Sequence, residues 1–403
     1  MNQSLRLAMT LLVILMVIAR PVTAKTLPIG LTIDMSGANA QYALDFKNGV
    51  EAFITAENAK KRFGNYKLKL VVMDDFGKPE RVYTNTKRLL KQKHVLALIT
   101  NHELKLVPKL LNLATAHKTL LLSSNANDLR FNRKQLDVIG QLTAKPKDLL
   151  EPAHDLIKDA DKIYLISDSP TTSKKWFENL VQITNKPVYL ISREKKQPQP
   201  PTENVLYVID QNFANAANLI PQYLNGNGLA KILILPKTGA SLLVNALSHN
   251  LESKQLENLF FLNTVPLHDS SLPMLKKFSQ DMQSFNPHAT KSHQALKGYL
   301  LAYFASESIY HSVKGIKTDS VLDVVTLPFQ VLDQVVGWVK HAGSDISNSE
   351  VVETFSRMKN YNAGLHKLIN IDKNRVILGD SWLTKSNKTG QFIVVSSSKR
   401  SRT

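Results

Sequence analysis

From residue 28 onward the chain repeats one alternation: a short, mostly apolar run, a turn, then a segment with apolar residues at helical spacing. In the first part the runs are 28–33, 68–73, 95–100 and 119–122, separated by the helical patterns 43–59, 79–91 and 104–116. Strands that are apolar on both faces need cover on both faces, and helices interleaved with them supply it. The pattern therefore predicts a parallel sheet between two helical layers. A second series starts near Lys145, with strands at 162–167, 187–192, 204–209, 231–235 and 259–263. Its helices are expected at 147–158, 172–183, 213–224 and 240–250. Two such series predict an α/β protein of two doubly wound, Rossmann-like lobes. After Pro266 the pattern is mainly helical, at 272–285, 293–313, 327–341 and 348–358, with a last strand at 391–395. The proline-rich stretch 195–203 reads as an exposed connection, and 396–403 as a disordered, polar, basic tail.

Residues 1–24 have the three parts of a secretory signal peptide. Arg6 precedes an apolar run at 7–19, and Val22-Thr-Ala24 offers a small-residue cleavage site before Lys25. An uncleaved anchor is the alternative; Arg20 and Pro21 interrupt the run and favour cleavage. The chain has no cysteine, so disulfides, thiolate metal sites and a lipid-bearing N-terminal Cys are excluded. No later run is long and apolar enough to span a bilayer. Loss of Arg6 and Arg20 with the leader takes the formal charge from +18 to +16. That balance favours anionic partners. Nucleic acid is not expected, because no basic run is interleaved with aromatics and an export signal precedes the domain. The expected state is a non-lipidated, monomeric, exported protein.

Catalytic motifs are not found in usable form. The eleven histidines show no His-x-His, His-x-x-x-His or His-Glu-x-x-His spacing, so no metal is expected. Asp74-Asp75 resembles a carboxylate pair, but neighbours on a strand end point to opposite faces, and a structural role is expected. Lys237-Thr-Gly, Lys388-Thr-Gly, Ser192-x-x-Lys195 and Ser123-Ser-Asn125 match fragments of serine-acyltransferase motifs, in the wrong order. Asn225-Gly-Asn-Gly228 lacks the Lys-Ser/Thr ending of a phosphate loop. The expectation is a binding protein, not an enzyme, without cofactor.

The most specific stretch is 28–53: a buried strand, a small-residue turn at 35–41, then a helix with Ala43, Phe46, Val50, Phe53 and Ile54 on one face. Such a turn puts backbone N–H groups at the mouth of a parallel sheet. Met35-Ser-Gly, Ala40-Gln-Tyr42, Asn48-Gly49 and Asp74-Asp75 with Pro79 resemble the start of the branched-chain amino-acid (Leu/Ile/Val-binding) type of periplasmic solute-binding protein. Gly298-Tyr299-Leu-Leu-Ala-Tyr303, Phe278 and the strand at 259–262 are similar to later parts of that family. The resemblance implies a type I, two-lobed Venus-flytrap fold. It places three crossovers near Leu142, Thr264 and Asn370. The lobes would then be 25–142 with 265–370, and 143–264 with 371–395. It also implies capture of a small molecule for an inner-membrane ABC transporter permease.

The positions that match the family's ligand contacts are Ser36, Tyr42, His102, Glu103, Ser124, Asn125, Asn127, Phe213 and Lys237. They depart from the amino-acid pattern. Asn101-His-Glu103-Leu-Lys105 lacks the family's serines, Asn127 replaces a threonine, and Lys237 falls where an acidic residue receives the ligand ammonium. Opposing two ammonium groups is unfavourable. The expected solute is therefore anionic or neutral and not a branched-chain amino acid. Each position also has a structural reading: Tyr42 and Phe213 as packing, Asn125 and Asn127 as turn formers, Glu103 as a helix-start charge, Lys237 as solvated. A second functional class stays open, a non-transport envelope protein on the same fold that regulates a cell-wall synthase or senses a ligand.

Overall fold

The computed structural model describes residues 25–37, 40–102, 106–125, 131–142, 146–167, 170–191, 204–211, 213–224, 230–236, 240–267, 271–314, 346–365, 369, 371, 375–378, 381–387 and 392–397. The leader, the proline-rich connection and the helix expected at 327–341 lie outside them.

The first lobe is built in chain order from β1 (Lys25–Ile33), α1 (Ala40–Ala59), β2 (Tyr66–Asp74), α2 (Pro79–Gln92), β3 (Ala97–Thr100), α3 (Val107–Ala116), β4 (Leu120–Ser123), α4 (Arg133–Val138) and β5 (Ile139–Gln141). The strands pair in parallel in the order β2-β1-β3-β4-β5. Leu27, Ile29, Leu31 and Ile33 of β1 bury one face against α1, while the opposite face packs beneath α2 and α3 through Leu98, Leu121 and Ile139. Next come α5 (Pro146–Leu149), a single 3₁₀ turn (Glu151–Ala153), α6 (His154–Asp159), β6 (Lys162–Ser167), α7 (Pro170–Ile183), β7 (Val188–Ile191), β8 (Val205–Asp210), α8 (Phe213–Leu224), β9 (Lys231–Ile234), α9 (Ala240–Leu247), α10 (Ser253–Leu256) and β10 (Leu259–Asn263). Then α11 (Pro273–Phe285), α12 (His293–Lys314) and α13 (Asn348–Ser356) return to the first lobe's core. The chain closes with β11 (Trp382–Ser386) and β12 (Phe392–Ser397). The second sheet runs β12-β11-β10-β9-β8-β6-β7, parallel from β10 to β7 and antiparallel at β11 and β12. In each sheet the strand order reverses beside its first strand, the arrangement of two doubly wound lobes.

Several boundaries differ from the sequence reading for local reasons. The helix expected at 147–158 is split into three short pieces, because Pro152 has no N–H and its ring blocks a continuous helix. The helix expected from residue 104 begins at Val107, with Pro108 in its first turn, where a missing N–H is harmless. β5, α4, α10 and β11 are too short or too polar to show a period. Ser396 and Ser397 are paired in β12, so the strand takes the first residues assigned to the basic tail. Val376 bridges in parallel to Gln141, and Ile377 and Leu378 join the first lobe's core. The chain therefore enters the second sheet only at Trp382, later than the third crossover expected near Asn370.

The long helix α12 is fixed against α1 by two glycines. A Cβ on Gly49 would sit 1.8 Å from the carbonyl oxygen of Ala295, and one on Gly298 would sit 2.1 Å from that of Phe46. Both obstacles are backbone, which cannot rotate away. Gly298→Ala is expected to destabilise the protein by about 2–3 kcal/mol, more than its gain in helix propensity returns. Urea denaturation checks this; a neutral or stabilising result would mean the helices slide apart freely.

Candidate functional site

The α1–α12 crossing carries the N-terminus of α12 to the mouths of β9 and β10. A crevice forms there between the lobes. Tyr42, His293, Gln294 and Lys297 line it from the first lobe, and Pro236, Asn263, Thr264 and the apolar ends of β9 and β10 from the second. His293, Gln294 and Lys297 lie at i, i+1 and i+4 of α12, so one helical face presents all three. Ser292 caps that helix by accepting a hydrogen bond from the Ala295 N–H at 3.2 Å.

Lys297 is 5% exposed. Burial alone lowers its ammonium to a pKa of about 8; no neighbouring carboxylate offsets it. Among the described residues it makes no hydrogen bond and no ion pair. Across the crevice the Thr264 hydroxyl is buried and has no hydrogen-bond partner among the described residues. Asn263 is engaged, its amide donating to Thr384 Oγ1 at 2.8 Å and to the Phe261 carbonyl at 3.2 Å. The Tyr42 hydroxyl is raised far above its ordinary range, chiefly by burial, with Gln294 hydrogen-bonding against that shift and Asp45 adding to it. It therefore stays neutral at any physiological pH. None of the described lining residues carries a carboxylate.

Of the sequence-derived positions, Tyr42 lines this crevice. Ser36, His102, Ser124 and Asn125 are not among its described lining residues. Ser36 donates to Asp74 Oδ2 at 2.6 Å. Asp74 also accepts from the Met35 and Phe76 N–H groups; its slight burial works the other way, but these bonds hold its carboxyl below the ordinary value. Asp75 is fully buried, accepts from Thr32 Oγ1 at 3.0 Å, and has His102 Nε2 at 3.2 Å. The two acids thus fasten the loops after β1, β2 and β3 to one another. Asn125 donates to the Asn101 and His102 carbonyls at 2.6 and 3.2 Å, joining the loops after β3 and β4. Ser124 donates its N–H to the Thr100 carbonyl, and its hydroxyl is buried without a partner among the described residues. Glu103, Asn127 and Lys237 lie outside the described residues, as does the side chain of Phe213, the first residue of α8.

Sequence reasoning missed His293, Gln294, Lys297, Asn263 and Thr264. A signal existed for Lys297. The helix around it is apolar on nearly every side (Ala295, Leu296, Tyr299, Leu300, Leu301), and such a helix buries whatever it carries. Among the described residues no three His, Asp or Glu side chains gather into a metal site. No helix of the described residues is long and apolar enough to cross a membrane.

A family model described as periplasmic binding protein matches residues 26–182. The whole fold is similar to solved structures. A possible leucine/isoleucine/valine-binding protein from Rhodopirellula baltica is 17% identical with a TM-score of 0.69, covering 94% of this chain and 98% of that one. The branched-chain amino-acid transporter substrate-binding protein LivJ from Streptococcus pneumoniae, solved with isoleucine, is 14% identical with a TM-score of 0.68, covering 92% and 100%. An ABC transporter solute-binding protein from R. palustris, solved with benzoate, is 12% identical with a TM-score of 0.67, covering 93% and 96%. No curated protein matches the sequence. The chain has the two-lobed fold of the type I periplasmic binding proteins.

Proposed function

We propose that this chain, with the type I periplasmic binding protein fold, is an exported solute-binding protein. It captures a small solute between its lobes and presents the closed form to an inner-membrane ABC transporter permease. The leader at 1–24 and the crossovers near Leu142 and Thr264, with the third between Val376 and Trp382, belong to the same proposal. One observation carries it: the crevice takes side chains from both lobes, so a molecule bound there bridges them and favours closure.

The cargo is a solute other than a simple branched-chain amino acid. A bound amino acid has an ammonium group, and the described walls provide a lysine where that group needs an anion. Neighbours of this fold solved with isoleucine and with benzoate are consistent with a pocket that can be rebuilt for acids lacking the amine. Calorimetric titration of the mature protein with leucine, isoleucine and valine is expected to give no binding. Micromolar affinity for any of the three would overturn the exclusion. Small-angle scattering reads the function itself, since a transport receptor becomes more compact when its cargo binds and a scaffold without a solute site does not.

A further inference from the structure

We propose that Lys297 and the N-terminus of α12 form an anion anchor, and that the solute is a small monocarboxylate with an apolar body. This deepens the interlobe-site reading and rests on it.

Three observations converge on the crevice. The first is a helix of 22 residues whose positive end opens onto it, with Ser292 occupying one of its free N–H groups. The second is Lys297, more than nine-tenths buried on the first turns of that helix, with no hydrogen bond or counter-ion among the described residues. A cation held in this state is left without compensation until an anion arrives. The third comes from the other lobe, where the Thr264 hydroxyl, without a partner among the described residues, lines the same space and can donate to an oxygen the lysine leaves free. The neutral Tyr42 hydroxyl is a further donor.

The charge and the shape set the class. One fixed cation matches one negative charge, and the described lining offers no arginine or second lysine for a phosphate dianion. The ends of β9 and β10 contribute Leu235, Pro236 and Leu262, an apolar wall for the rest of the molecule. At the head of α12 the described titratable groups beside Lys297 are Tyr42 and Asp45 of α1 and His293 of α12 itself. Asp45 accepts from Gln41 and is hydrogen-bonded by Ser292; burial raises its carboxyl against those bonds, and it makes no ion pair with Lys297.

The test uses the mature protein at pH 7 with benzoate and butyrate, their neutral amides, and inorganic phosphate, read by calorimetry and by scattering. A carboxylate is expected to bind at least about 100-fold more tightly than its amide, and Lys297→Met to bring the two together while circular dichroism shows a folded chain. Equal affinity for acid and amide, preference for phosphate, or full carboxylate affinity in K297M would overturn the anchor. Closure with an amide would still leave the interlobe site standing. If none of these probes binds, native mass spectrometry of protein from its own periplasm decides. A retained carboxylic acid that K297M loses supports the anchor, and a retained neutral solute overturns it. No retained molecule overturns the interlobe reading along with the anchor.

Discussion

Arg62→Met is expected to lower the unfolding free energy by about 3–5 kcal/mol. Arg62 Nε lies 3.2 Å from Glu57 Oε1, and Nη2 lies 2.5 Å from Glu307 Oε1. Its guanidinium stacks on Tyr310, 3.8 Å from the ring centre. Both carboxylates are almost fully buried; removing the cation leaves Glu57 with Lys60 at 3.0 Å and Glu307 with His311 and Tyr361, and each loses its buried guanidinium partner. Burial alone would raise the Glu307 carboxyl, but His311, Arg62 and Tyr361 together outweigh it and hold the group below its ordinary value. The sign of the pH dependence follows. A depressed acid stabilises the fold above its unfolded pKa, and that contribution is lost as pH falls through the folded value. The difference between wild type and R62M should thus be largest near neutrality and shrink as pH falls, because the buried acids of folded R62M take up protons before the depressed Glu307 of the wild type does. Urea denaturation from pH 4 to 7 reads both. A loss under 1 kcal/mol at pH 7 would show that Glu57 and Glu307 find other partners. R62M combined with Glu307→Gln should recover part of the loss, because one buried charge without its guanidinium partner disappears.

Lys297→Met is expected to act in the opposite direction on stability while abolishing anion affinity. The Lys297 ammonium falls from 10.5 to about 8, and 2.5 units correspond to about 3 kcal/mol of penalty for keeping it charged. Below pH 8 folded and unfolded chains both hold the proton, so the full penalty is present and stability is flat. Between pH 8 and 10.5 the unfolded chain binds more protons, so wild-type stability rises by that amount. Methionine has a similar reach and no charge. K297M should be more stable than wild type by about 2–3 kcal/mol at pH 7, and the gap should close by about pH 10.5. Denaturant midpoints of the two proteins at pH 7, 9 and 10.5 measure this difference, in which the titrations of other groups cancel. A less stable K297M at pH 7 would mean that the ammonium is compensated in the unliganded fold. Carboxylate affinity in the wild type should weaken about tenfold per unit above pH 8, since the neutral lysine must first take up a proton. Stability sacrificed at a residue that gains only with an anion present is the pattern of a ligand contact, not of a core position.

How legible the molecule was in its sequence depends on range. The apolar runs at 28–33, 162–167 and 259–263 became β1, β6 and β10 with edges shifted by three residues at most, because a strand apolar on both faces has few alternatives to the centre of a sheet. β11 escaped notice because Trp382-Leu-Thr-Lys-Ser386 is mixed and short, and only its antiparallel neighbours β10 and β12 make it a strand. Tyr42 was legible as a mouth residue since it starts the helix after β1. Ser36, His102 and Asn125 carry the expected polar chemistry, and in the fold they also tie loop to loop around Asp74 and Asp75.

The sequence by itself determined the alternation of buried strands and amphipathic helices, and through it two doubly wound lobes with polar loops at the sheet mouths. Those features follow from local periodicity and turn chemistry, which neighbouring residues carry in full. The tertiary structure alone decided which charge faces the crevice. Lys297 is about 255 residues from Tyr42; its apolar helix signals burial, but no local pattern says which surface it meets. Only the approach of Gly49 to the Ala295 carbonyl and of Gly298 to the Phe46 carbonyl, too close for any Cβ, sets the roll and height of α12 and buries that ammonium where the lobes meet.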